Sequence, residues 1–196
     1  MRHLVITIGC EYGAKGNAIG RKIAEDLNIK FYNRDLVDEI IEEVGIPKEI
    51  MEKVEEGGTI AGKGAEGDVR GSFSKYADLT DRAIHVQKQI IRKLAEKESC
   101  VIIGRSADYI LKDRDDVLNV FIHGDMPEKT QRIMDLYNVG EKEAVKMMAD
   151  TDKRRMTNYN FYTDQKWGKA SNYTLCLNSS QLGYGRCEKL VMECSK

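Results

Sequence analysis

Apolar positions change period repeatedly along the chain. Leu4, Val5, Ile6 and Ile8 form a short apolar run, and Ile19, Ile23 and Leu27 then recur four apart, the spacing of one helix face. Ile29 to Tyr32 reads as a second short strand, and Leu36, Ile40, Ile41 and Val44 mark a helix over 35–44. Pro47 is placed to open a short helix through Val54. Periodicity then stops: residues 57–71 hold six glycines and few large apolar side chains, which predicts a mobile surface loop that could order over substrate. Ala83, Val86, Ile90, Ile91 and Leu94 give a long helix over 79–97, with Asp78 placed to cap it.

Residues 100–103 form a continuous apolar run and 117–122 another, interrupted only by Asn119, as expected of strands buried on both faces. Pro127 opens a helix to about Tyr137, and a long helix follows over 141–159. Leu175 to Leu177 makes a last short strand, and residues 184–194 a closing helix. Alternating strands and helices predict an α/β fold with a parallel sheet covered on both faces, whose ligands sit at the carboxyl ends of the strands.

The first strand leads into Gly9, Gly13 and Gly16, with Lys15 among them, just before a helix. A glycine turn at a helix N-terminus cradles phosphate, because backbone N–H groups point inward and the helix end carries partial positive charge. The standard loop reads GxxxxGK and then Ser or Thr. In one register Ala14 takes the second glycine's place and Gly16 the hydroxyl's; shifted by one, Gly13-Ala14-Lys15-Gly16 matches Gly-x-Gly-Lys and Lys15 falls on a glycine. Both registers stay open, as does a plain strand-to-helix turn. Gly13, Ala14, Lys15, Gly16 and Asn17 are the candidate donor-phosphate residues.

Gly104-Arg105 follows the third strand, with Asp108 just beyond. A guanidinium at a strand's carboxyl end can clamp phosphate bidentately, and a carboxylate can accept from an amine or hydroxyl. Asn33, Arg34 and Asp35 follow the second strand in the same way, although Asn33 or Asp35 is equally placed to cap the next helix. Lys153, Arg154 and Arg155 precede an aromatic segment with Tyr159, Phe161, Tyr162 and Trp167. On one helix they cannot all face the same way, so one or two point inward. A solvated face is the plain reading; arginines on a phosphoryl-transfer lid are the functional one.

With 196 residues, 41% hydrophobic and 32% charged, the composition is that of an ordinary soluble chain and predicts one domain. A net charge of −1 argues against a broad nucleic-acid footprint, and neither a membrane span nor a signal peptide is read, so a cytoplasmic location is expected. The five cysteines show no CxxC pair and are read as idle thiols, with Cys10 in the loop the one candidate for reactivity. The three histidines lie far apart, and no metal site is predicted.

Taken together, ITIGCEYGAKGNAIGRKIAEDL, KFYNRDLVDEI, VIIGRSADYIL, DKRRMTNYNFYTDQKWG and NYTLCLNSS resemble the cytidylate kinase-like proteins of bacteria over nearly the whole chain. The resemblance implies a P-loop NTPase fold: a three-layer α/β/α sandwich with a five-stranded parallel sheet and a helical lid. The core would take residues 1–30 and 99–150, an acceptor region about 31–94, a lid about 152–169, and a closing strand and helix 172–194. True cytidylate kinases carry Gly-Arg-Asp after the third core strand; here Gly104-Arg105 is followed by Ser106, with Asp108 a substitute shifted by two. Gly9 and Cys10 replace the Ser-Arg usual before the family's loop.

The resulting expectation is a kinase that moves the γ-phosphoryl of ATP, with Mg²⁺, to CMP or dCMP. Lys15, Arg154 and Arg155 are expected to be catalytic, and Asp35, Arg105 and Asp108 to hold the acceptor. No protein ligand to Mg²⁺ is assigned, since the loop lacks its Ser or Thr. Small nucleotides are the expected partners, not nucleic acid or membrane, with homodimerisation left open. A non-catalytic nucleotide-binding regulator and a kinase for another small metabolite are the alternatives.

Overall fold

The computed structural model describes residues 3–47, 49–51 and 70–195, with side chains in the last segment described from Thr80 onward. Five strands form one parallel sheet: β1 (Val5–Cys10), β2 (Lys30–Tyr32), β3 (Cys100–Ile103), β4 (Val117–His123) and β5 (Leu175–Asn178), in the order β2-β3-β1-β4-β5. β1 lies between β3 and β4, pairing Val5 with Cys100 on one side and with Val117 on the other. All carboxyl ends therefore point one way, and the segments after β1 and β3 emerge side by side.

The helices are α1 (Gly16–Leu27), α2 (Arg34–Glu43), α3 (Arg70–Lys97), α4 (Ala107–Ile110), α5 (Met126–Tyr137), α6 (Glu141–Tyr162), α7 (Ser179–Leu182) and α8 (Tyr184–Cys194). Strand alternation divides the core. Ile6, Ile8, Val101 and Ile103 face Ile19 and Ile23 of α1 and Val191 of α8. Val5, Cys100 and Ile102 face Ile91 and Ala95 of α3 on the other side. That is why β3 reads as an unbroken apolar run. Val37 and Ile41 of α2 join Ala83, Ile84 and Ile90 of α3 in a further cluster, and Ile133 of α5 meets Ala144 and Met148 of α6.

Two boundaries differ from the sequence reading. α3 begins at Arg70, so Gly71 is helical and Asp78 lies inside the helix, not at its cap. Gly71, Ser72 and Ser74 are weak helix formers, so local propensity does not mark this start. α6 runs on to Tyr162, with Thr163 as its C-cap. The rest of the glycine-rich segment, and the end of the helix begun after Pro47, lie outside the described residues. Among the described residues no helix is long and apolar enough to cross a membrane.

Candidate active site

The turn after β3 is built from three successive left-handed residues: Gly104 at φ +68°, Arg105 at +56° and Ser106 at +52°. Such a conformation costs a non-glycine residue on the order of 1 kcal/mol and is kept where its surroundings enforce it. Here the Gly104 N–H donates to the Ile8 carbonyl at 3.0 Å, which locks the turn to β1. The Gln87 side chain donates to the Arg105 carbonyl from α3. The Arg105 guanidinium is thereby directed to α2, where it pairs with the Asp38 carboxylate; its side chain is only 6% exposed. Arg34 reaches the same carboxylate at 3.7 Å.

Arg105 and Arg34 share a cleft of about 400 Å³ with Arg154 and Arg155 of α6. Gly9 and Cys10 of β1 form its floor, and Asp108, Tyr159, Trp167 and Tyr173 line it too. The Tyr159 hydroxyl donates to Asp108 at 2.6 Å. Burial pushes the Asp108 carboxyl above its ordinary range, and the Tyr159 hydrogen bond only partly opposes this. Phe121 packs edge-on against Trp167, with ring centroids 5.3 Å apart, and so holds the cleft's aromatic wall against β4.

Asp35 does not join this cleft. It is exposed in the first turn of α2, where the Asn33 side chain caps the helix by accepting the Leu36 N–H. The capping reading holds for Asn33, and the residues that reach the site from this segment are Arg34 and Asp38. Arg34 is flagged in sequence by its place after a strand. Asp38 is not, because its function depends on a partner 67 residues away.

The glycine loop has a defined register. Lys15 is the N-cap of α1 at φ +61°, ψ +24°. Gly13 is also left-handed, at φ +84°. Lys15 thus takes a glycine's conformation, which is the Gly-x-Gly-Lys register: Gly16 stands at the lysine position and Asn17 at the hydroxyl position. The Lys15 ammonium lies 5.1 Å from the centre of the Tyr184 ring, on the α8 side of the loop. The side chain is turned to α8, and Lys15 is not among the residues lining the cleft.

The loop is braced from α5 and α6. Lys129 pairs with Glu11 at 2.6 Å, and Arg132 donates to the Gly13 carbonyl. Asp152 accepts the Tyr12 N–H at 2.8 Å, and Arg155 donates to the Cys10 carbonyl at 3.0 Å. Arg155 is thus seated on the loop at the end of β1. Lys153 points elsewhere, lining a surface groove with Tyr12 and Asp150. Burial raises the Cys10 thiol, against the field of Arg155, so it stays protonated at neutral pH and is not an activated nucleophile.

The fold implies Mg²⁺ with the nucleotide, but the side chains here do not form a ligand set for it. Asn17 replaces the loop hydroxyl. The carboxylates of Glu11, Asp38, Asp108 and Asp152 each accept from a protein donor. No group of three or more potential ligands occurs among the described residues.

A glycine loop between β1 and α1, in a five-stranded parallel sheet ordered 2-3-1-4-5, defines a P-loop kinase fold. Comparison places the chain within that class: it belongs to the cytidylate kinase-like family, whose profile matches residues 5–181. An uncharacterised protein from Eubacterium ventriosum is similar over 98% of both chains, at 29% identity and a TM-score of 0.76. A shikimate kinase from Bacteroides thetaiotaomicron shares the fold at 14% identity and a TM-score of 0.54, over 97% of each chain. A protein from Thermus thermophilus does so at 14% identity and 0.55, over the full length of both. Among proteins of curated function, a sequence comparison finds no match.

Proposed function

We propose that this protein transfers the γ-phosphoryl of ATP to a small acceptor that itself carries a phosphate, with CMP and dCMP the favoured substrates. The observation that carries this reading is the convergence of Arg34, Arg105, Arg154 and Arg155 on one cleft at the carboxyl ends of β1 and β3. Four guanidiniums suit two phosphate groups meeting in line, where transfer needs positioning and charge neutralisation more than covalent chemistry. Trp167 and Tyr173 offer faces for a base, and Asp108 a polar partner for an amine or hydroxyl.

Donor phosphates would lie on the backbone N–H groups of residues 13–17 at the start of α1. Tyr184 offers a stacking surface for the donor base beside that cradle, since Arg132 lies 5.2 Å from its ring centre while bonded to the loop at Gly13. ATP supplies the phosphoryl group; the chain's own residues bind, orient and neutralise.

A specific observation favours a second reading. The loop lacks both the lysine and the hydroxyl of the standard motif, which fits a regulator that binds nucleotide without turnover. An ADP-release assay over the common nucleoside monophosphates, with and without Mg²⁺, separates the two. Acceptor-dependent release supports the kinase. ATP binding with no release for any acceptor supports the regulator.

A further inference from the structure

The lysine position of the glycine loop is closed by a neighbouring side chain. A Cβ built on Gly16 would lie 2.5 Å from the Cys10 Cβ and 2.7 Å from its Sγ, with the Ile8 Cγ2 at 3.5 Å. The Cys10 Cβ is attached to the end of β1 and cannot swing aside. Residue 16 therefore has no room for the stem of a lysine as long as residue 10 carries a side chain in this place. The lysine that does occur in the loop, one position earlier, is turned to Tyr184. The loop's own side chains thus bring no ammonium to the donor phosphates.

A cation reaches the same residue, Cys10, from outside the loop. Arg155 of α6 donates one N–H to the Cys10 carbonyl at 3.0 Å, and its guanidinium carbon lies 5.4 Å from the centre of the Tyr12 ring. Asp152, which accepts the Tyr12 N–H, lies 3.6 Å from the same guanidinium and fixes its approach. The side chain is 38% exposed and lines the arginine cleft. A guanidinium carries five N–H donors, so binding one loop carbonyl leaves others for phosphate oxygens.

We propose that Arg155 takes the place of the P-loop lysine, holding the donor phosphates from α6, and that Cys10 and Gly16 form a matched pair that excludes the lysine it replaces. This rests on the donor site proposed above and assigns its missing cation. The consequence is a shared seat: α6 supplies the charge that a standard loop supplies itself, so donor binding and the position of α6 are coupled.

The test is a relocation. Calorimetric titration of ATP into the full chain is compared among wild type, Arg155→Ala, Arg155→Lys and the triple variant Cys10→Gly/Gly16→Lys/Arg155→Ala, with melting curves for each. Loss of a charge-assisted phosphate contact should weaken ATP by roughly 10- to 100-fold in Arg155→Ala, and Arg155→Lys should recover part of it. In the triple variant the lysine returns to its standard position with the obstructing side chain removed, and ATP affinity should recover at least about tenfold over Arg155→Ala. Gly16→Lys with Cys10 intact should instead lower the melting temperature sharply.

ATP affinity unchanged in Arg155→Ala overturns the proposal while leaving the kinase reading standing. So does a loss that the relocated lysine does not recover, since a purely structural brace on Cys10 would behave that way. Wild-type protein that binds no ATP overturns both.

Discussion

The Tyr159 hydroxyl donates to the Asp108 carboxyl at 2.6 Å, joining α6 to α4 across 51 residues of sequence. It also lies 2.8 Å from the Gln165 side chain, so the hydroxyl links the end of α6, the segment after it and the wall of the cleft. Asp108 is 8% exposed, and its buried carboxyl has a raised pKa.

The sign of the pH effect follows. A carboxyl whose folded pKa lies above its unfolded value binds its proton more tightly in the folded chain. Stability is then greatest below the unfolded carboxylate range, falls as pH rises through the folded value, and levels off above it. Burial shifts Asp152 in the same direction, so the two contributions must be separated by substitution. Asp108→Asn keeps an acceptor for Tyr159 and removes the titration. Its melting temperature relative to wild type should rise with pH from about 4 upward. A difference independent of pH would contradict the assignment.

Arg105→Ala should raise the acceptor KM, or lower kcat/KM, by roughly 10- to 100-fold with ATP affinity little changed. It should also destabilise the protein, by roughly 3 kcal/mol, because it leaves the Asp38 carboxylate buried without its main partner. Removing both charges in Arg105→Ala/Asp38→Ala should recover much of the stability and none of the activity. Denaturant unfolding and steady-state kinetics on the same variants measure the two effects separately. Activity that returned with stability would mean that Arg105 acts only through the fold.

Lys15→Gly is expected to be tolerated. The left-handed conformation at φ +61° is natural to glycine and costs lysine about 1 kcal/mol, so the variant should be as stable as wild type or slightly more so. ATP affinity should change by less than about threefold, since an exposed cation–π contact is worth only about 0.5–1 kcal/mol. A loss of activity by several orders of magnitude would return Lys15 to the phosphates.

Gly13→Val should weaken donor binding. At φ +84° a β-branched residue is strained, and its Cβ would lie 3.2 Å from the Lys129 Cβ. The loop would have to shift from the α5 helix that braces it. Calorimetry with ATP reads this directly; unchanged affinity would remove the cradle from residues 13–17.

Much of the fold is legible in the sequence because each core element carries its own period. Ile19, Ile23 and Leu27 mark α1, and the apolar runs of β3 and β4 announce burial on both faces. The start of α3 is not legible, because Gly71, Ser72 and Ser74 are weak helix formers at the edge of a glycine-rich segment. At the site, Arg105 and Asp108 are readable from their place after a strand. The pairs Arg105–Asp38 and Asp108–Tyr159, and the contact of Cys10 with Gly16, are set by strand order and helix docking. No local spacing records them. The backbone conformation of Lys15 is likewise a three-dimensional fact, and it alone chooses between the two registers of the loop.

Phosphoryl transfer from ATP to a phosphorylated acceptor held by the arginine cleft is tested most directly by its product. Phosphorus NMR of wild-type protein with ATP, Mg²⁺ and CMP or dCMP reads the product itself. Growth of the β-phosphorus resonance of CDP or dCDP is expected, matched by ADP and suppressed in Arg105→Ala. Persistent ATP and monophosphate resonances, in protein shown by calorimetry to bind ATP and screened against the other nucleoside monophosphates, would contradict it.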